Sequence, residues 1–111
     1  MKYEELTQKV IDEELDQYCI LKIGSLFGPE NSVCIRKNND GTFSVRFYGE
    51  REKVRREYLN IPETEACEIV YKYATQEKRV ELAYREREKK NWQRNEFTIK
   101  KLGLNPSFYL L

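Results

Sequence analysis

The chain has no histidine. Without an imidazole the usual general base near neutral pH is missing, which removes Ser-His and Cys-His catalysis and the H-E-x-x-H metal site. No C-x-x-C occurs either, so a Cys/His zinc site has no ligand set. The three cysteines, Cys19, Cys34 and Cys67, are an odd number, which fits reduced thiols acting as small buried hydrophobes. Cys34 in "SVCIR" and Cys67 in "EACEIV" are expected in the core. The five glycines, at 24, 28, 41, 49 and 103, are dispersed at turns and build no phosphate-binding loop. No run approaches the roughly 20 apolar residues that a membrane span needs. The start, "MKYEELTQKVIDEELDQY", is acidic and amphipathic where a signal peptide is basic and then apolar. A cytoplasmic protein without membrane contact, cofactor or metal is therefore expected. Acid pairs such as Glu13/Glu14 and Glu63/Glu65 fall on predicted wet helix faces, which suit general acid catalysis poorly, so no enzyme is expected.

What is present is a chain of 111 residues, 40% hydrophobic and 35% charged, with eight Tyr, five Phe and one Trp. That is enough apolar area for one core and one domain, 1–111, with a heavily charged surface. The net charge of +1 conceals an asymmetry. Residues 1–31 carry three Lys against seven acids, a balance of −4, and the remaining 17 bases and 12 acids leave +5. Solvated faces of opposite sign explain this, and so does an acidic first helix that docks a basic partner.

Residues 3–17 read as a helix, with Leu6, Val10, Ile11, Leu15 and Tyr18 at spacings of three and four. "CILKIGSLF" (19–27) reads as a strand stopped by Gly28-Pro29. "SVCIRK" (32–37), Asn38-Asn39-Asp40-Gly41 and "TFSVRFY" (42–48) form a hairpin signal. In its second arm Phe43, Val45 and Phe47 should face a core, while Thr42, Ser44, Arg46 and Tyr48 face water. "KVRREYL" (53–59) suits a charged edge strand. From Pro62, with Asn60 as a candidate cap, Ala66, Ile69, Val70, Tyr73 and Ala74 mark a helix. The helical pattern continues through residues 85–94, as one helix or as two broken near Thr75-Gln76. Phe97-Thr98-Ile99 reads as a short strand, and the apolar end Phe108-Tyr109-Leu110-Leu111 as packed on the domain. The expected fold is α+β: an antiparallel meander of three to four strands, with an N-terminal helix and a long C-terminal helical region on one face.

The order α-β-β-β-α with a Gly28-Pro29 turn looks like a double-stranded-RNA-binding domain. That module presents lysines at the start of its second helix, where this chain has "IPETEACE"; Glu63, Glu65 and Glu68 would repel phosphate there. Nucleic acid is therefore not the expected partner. Taken together, the short acidic first helix, the meander ending in "GTFSVRFYGERE" and the stretch "EYLNIPETEACEIVYKYA" resemble the small immunity proteins of bacterial polymorphic toxin systems, over roughly residues 1–75. The resemblance implies a non-enzymatic cytoplasmic protein that binds one cognate toxin domain and blocks it. Such families keep a scaffold and vary their contact residues, so no functional residue transfers by motif.

The candidate partner-binding residues come from the charge and aromatic pattern. They are Asp12, Glu13 and Asp16 on the first helix, Arg46, Tyr48 and Arg51 around the meander, and Tyr84 and Trp92 on the late helix. The alternative is a small protein- or RNA-binding adaptor of α-β-β-β-α type.

Overall fold

The computed structural model of the chain describes residues 1–101, with side chains as far as residue 90. In chain order the elements are α1 (Tyr3–Asp12), β1 (Ile20–Ile23), β2 (Ser32–Lys37), β3 (Phe43–Tyr48), β4 (Val54–Ile61) and α2 (Glu63–Lys101). They fall into two compact units, Met1–Lys78 and a second that begins at Arg79. The apolar end at 108–111 lies outside the described residues.

The first unit is an α+β fold with strand order β1-β2-β3-β4. Strands β2, β3 and β4 make the antiparallel meander the sequence predicts. The 38–42 hairpin closes with Gly41 at φ +87 and Asn38 N donating to Thr42 O at 2.7 Å. β1 differs. It pairs with β2 in parallel, Ile20 opposite Ser32 and Ile23 opposite Ile35. The strand stops four residues before the end of the apolar run because Gly24, at φ +105, turns the chain. Residues 24–31 then return over the sheet, so β2 starts beside the start of β1.

One face of this sheet carries the main core. Val33 and Ile35 from β2 and Phe43 and Val45 from β3 meet Leu6 and Leu15 from the N-terminal segment. Ala66, Cys67, Val70 and Ala74 from α2 complete the cluster. Alternation in the strands and the 3.6-residue period in the helices put these side chains inward. Of the predicted α1 stripe, Ile11 does not join; it is 63% exposed. The helix ends at Asp12, Glu14 turns left-handed at φ 54, and a single 3-10 turn (Leu15–Gln17) brings Leu15 inward in its place.

The two helices are tied at both ends of α1. Tyr3 N donates to Glu63 Oε2 at 3.0 Å. At the other end the Tyr71 hydroxyl donates to the Glu13 carboxylate at 2.7 and 2.9 Å, and Lys78 Nζ donates to the Glu13 carbonyl at 2.6 Å. α1 therefore runs in the same direction as the first turns of α2.

Asn60 is not the cap of α2. It is a left-handed residue, φ 57, in an irregular stretch of β4, and its amide donates to Ser44 Oγ at 3.2 Å. Pro62 takes the boundary position, its carbonyl accepting from Ala66 N at 3.0 Å. α2 then passes Thr75-Gln76 unbroken, with Thr75 Oγ1 bonded back to Tyr71 O at 2.9 Å. Residues 97–99 belong to this helix and form no strand. Helix propagation adds one bond per residue, whereas three extended residues without a partner strand gain none. In the second unit the helix carries Glu81–Arg85 and Glu86–Lys90 pairs at 3.1 and 3.8 Å.

Truncating Leu6 to Ala is expected to cost about 2–5 kcal/mol, and Ile11→Ala less than about 0.5 kcal/mol, in urea unfolding. Tyr71→Phe should cost about 1 kcal/mol, because a hydrogen bond to a half-exposed charge is partly screened. The Glu13 bond, with some burial, raises the Tyr71 pKa above its ordinary 10.0. Its contribution is complete below that pH and is lost as pH rises through the higher folded value, so the two proteins should converge in stability at alkaline pH.

Candidate functional site

The second face of the sheet is where sequence alternation placed wet residues, yet Ser44 is buried and Tyr48 is only 9% exposed. The returning segment 24–31 covers Tyr48, and Ser44 is enclosed by Asn38 and Asn60. Leu26 packs with Cys34 and Tyr48 in a second small core. Gly28 lies so close to the sheet that a Cβ there would come within 2.5 Å of Ser32 Oγ and 2.8 Å of Cys34 Sγ. Ser44 accepts from Asn38 Nδ2 at 3.0 Å as well as from the Asn60 amide, so its burial leaves no polar atom unmet.

Arg46 and Tyr48 hold this segment in place. The Tyr48 hydroxyl donates to Leu26 O at 2.8 Å. Arg46 Nη1 donates to the same carbonyl at 3.3 Å and to the Tyr48 hydroxyl at 3.2 Å. The rest of the guanidinium grips Glu57 Oε1 on β4, from Nε at 3.0 Å and Nη2 at 2.6 Å. All three guanidinium nitrogens are engaged. The group also sits 5.9 Å from the ring centres of Tyr48 and Phe27. Phe27 is 75% exposed. The loop thus displays a phenyl ring to solvent from a backbone fixed at its neighbour, Leu26.

The turn after β3 is strained. Arg51 and Glu52 have φ 57 and 58, the pair of positive values for which Asn-Gly is the usual choice in a two-residue hairpin. Lys53 N closes it onto Glu50 O at 3.3 Å, and Gly49 N donates to Lys53 O at 2.7 Å. Left-handed Arg and Glu each cost of order 1 kcal/mol, a cost that surrounding structure has to carry.

The eight sequence candidates therefore separate. Arg46 and Tyr48 meet in one network, and Arg51 projects from the strained turn. Asp12 is exposed and accepts from Gln8 Nε2 at 2.8 Å, Asp16 is exposed, and Glu13 is engaged with Tyr71. Tyr84 is 58% exposed on the second unit. Trp92 lies in α2, and its side chain is outside the described residues. Phe27 and Glu57 were missed. The apolar run 19–27 places Phe27 at the end of a strand, whereas the strand ends at Ile23 and Phe27 stands in the segment that returns over the sheet.

No group of three or more Cys, Asp or Glu side chains able to hold a metal ion occurs among the described residues, and no described helix is long and apolar enough to cross a membrane. Burial, reinforced by nearby acids, pushes the Cys19 and Cys67 thiols up to about 11. Burial also raises Cys34, against the Ser32 hydrogen bond. All three are thiols near neutral pH, which makes them poor nucleophiles. No family model, no curated protein and no solved structure matches the chain.

Replacing Arg51-Glu52 by Asn-Gly should relieve the turn and raise stability by about 1 kcal/mol, read as a higher midpoint in thermal unfolding. An unchanged or lower midpoint would show that the left-handed pair is stabilised by its own side-chain contacts.

Proposed function

We propose that the chain is a protein-binding module that neutralises a cognate toxin domain by covering it, the role of the immunity proteins it resembles. The observation that carries this reading is the displayed Phe27 on the Arg46 platform. Interface hot spots are enriched in aromatic residues and arginine at the centre of a contact, with charged groups at its rim. Here the aromatic is Phe27, the arginine is Arg46, and Glu57 and Lys22 are charged neighbours on the same face. The anchor is also pre-organised. Tyr48 and Arg46 fix the Leu26 carbonyl in the free protein, so ordering the loop subtracts little from affinity. Partner choice can then be set by the separately placed charges at Asp12, Asp16 and Arg51, which orient an encounter more than they strengthen it.

The test is a pull-down of the tagged protein from its own cells through a wash at about 0.5 M salt, where phosphate contacts are largely screened. One stoichiometric protein, toxic when expressed without this chain, is the expected catch. Phe27→Ala should weaken its binding tenfold or more, about 1.4 kcal/mol, at unchanged thermal stability. Nucleic acid in the eluate, or full retention by the Phe27→Ala variant, would refute the reading.

A further inference from the structure

A groove of about 480 Å³ lies between the β3–β4 pair and the early turns of α2, with Tyr48 but not Phe27 among its lining residues. Three cations line it: Arg55 and Arg56 from β4 and Lys72 from α2. None of the three has a carboxylate within ion-pair distance among the described residues, and no acid lines the groove. The floor is aromatic. Phe47 packs edge-on against Tyr58 at 6.4 Å and against Tyr73 at 5.0 Å. Burial keeps the Tyr73 pKa above its ordinary value, Glu77 adds to that, and Arg55 opposes it. Arg55 also borders a more open depression lined by Arg51, Lys53 and one acid, Glu50. The two hollows share Arg55 and form a track along β4 and the turn before it, in which five cations face one acid.

We propose that this track binds an acidic polypeptide segment with interspersed apolar residues, carried by a protein partner. Arg55 and Arg56 have no carboxylate partner, although Arg56 Nη1 donates to the Tyr58 hydroxyl at 3.5 Å; guanidiniums match carboxylates in forked geometry, and Lys72 supplies a point charge from the other wall. The apolar residues of the segment would rest on Tyr58 and Tyr73. Two features favour a peptide over a single-stranded nucleic acid. Tyr58 and Tyr73 stand at 73° and 79° to Phe47, so the three rings make no parallel ladder on which successive bases would stack. Glu50 lies among the cations of the track, which opposes a continuous phosphate backbone but admits spaced carboxylates. The segment is held by side chains and adds no strand to β4, whose pairing with β3 is interrupted at two places. This inference does not rest on Phe27, although Tyr48, which anchors the Phe27 loop, also borders the groove.

The experiment is a fluorescence-anisotropy titration of the full chain into a labelled peptide of alternating Glu and Leu, and into an oligouridylate of the same length. Micromolar peptide binding is expected, with RNA at least tenfold weaker. Arg55→Ala with Lys72→Ala should lower peptide affinity tenfold or more while circular dichroism stays that of the parent. Lys37→Ala, a distant cation on the far hairpin, and Phe27→Ala should change it less than twofold. Tighter RNA binding, no peptide binding, or an equal loss with Lys37→Ala would overturn the proposal.

Discussion

The first unit depends on covering β2 on both sides. Val33 and Ile35 face the helices, Ser32 and Cys34 face the other way, and all four are almost without solvent exposure. A strand with helices on only one side would leave a hydroxyl and a thiol on a wet face. Here the 24–31 segment lies over that face, close enough that only glycine fits at position 28. This cover explains the topology. A chain that must return across the sheet between β1 and β2 enters β2 in the direction it left β1, so the pair is parallel within a connection of only eight residues. It explains the site as well, because the cover needs an anchor, and the anchor is the Arg46–Tyr48 pair.

The helices illustrate a second economy. α1 is short and half exposed, and its isolated helical tendency is small. Its place is fixed by Leu6, Val10 and Leu15 below and by contacts at its two ends, Tyr3 to Glu63 and Glu13 to Tyr71. Glu13 therefore has a different standing from Asp12 and Asp16, although the three share one acidic run. A carboxylate that accepts a tyrosine hydroxyl from another helix has less freedom to serve a partner.

Much of the fold was legible because it rests on periodicity. The hairpin at 38–42, the charged edge strand, the core residues of β3 and the stripe from Ala66 to Ala74 follow from alternation, Asn/Asp-Gly chemistry and the 3.6-residue repeat. What failed to show was set by long-range contact. Nothing local in "CILKIGSLF" says that it stops at Ile23 and folds back, since its apolar residues suit either a strand or a buried loop. Tyr48 alternates correctly for a wet position and is buried because a segment more than twenty residues away in sequence covers it. The site was legible by half for the same reason. Arg46 and Tyr48 stood out as charge and aromatic in a strand, whereas Phe27 matters through where the returning loop leaves it. The groove beside β4 was readable only as scattered cations until α2 brought Lys72 opposite Arg55 and Arg56.

The junction of Leu26 and Phe27 has a consequence for how such a protein can diverge. Leu26 fills the second core and its carbonyl receives both Tyr48 and Arg46, so its identity and its backbone are held by the fold. Phe27, one peptide bond further on, touches little besides the guanidinium and faces solvent. Mutational tolerance should therefore change abruptly between two adjacent positions. A lineage can exchange the displayed side chain without any compensating change in the interior.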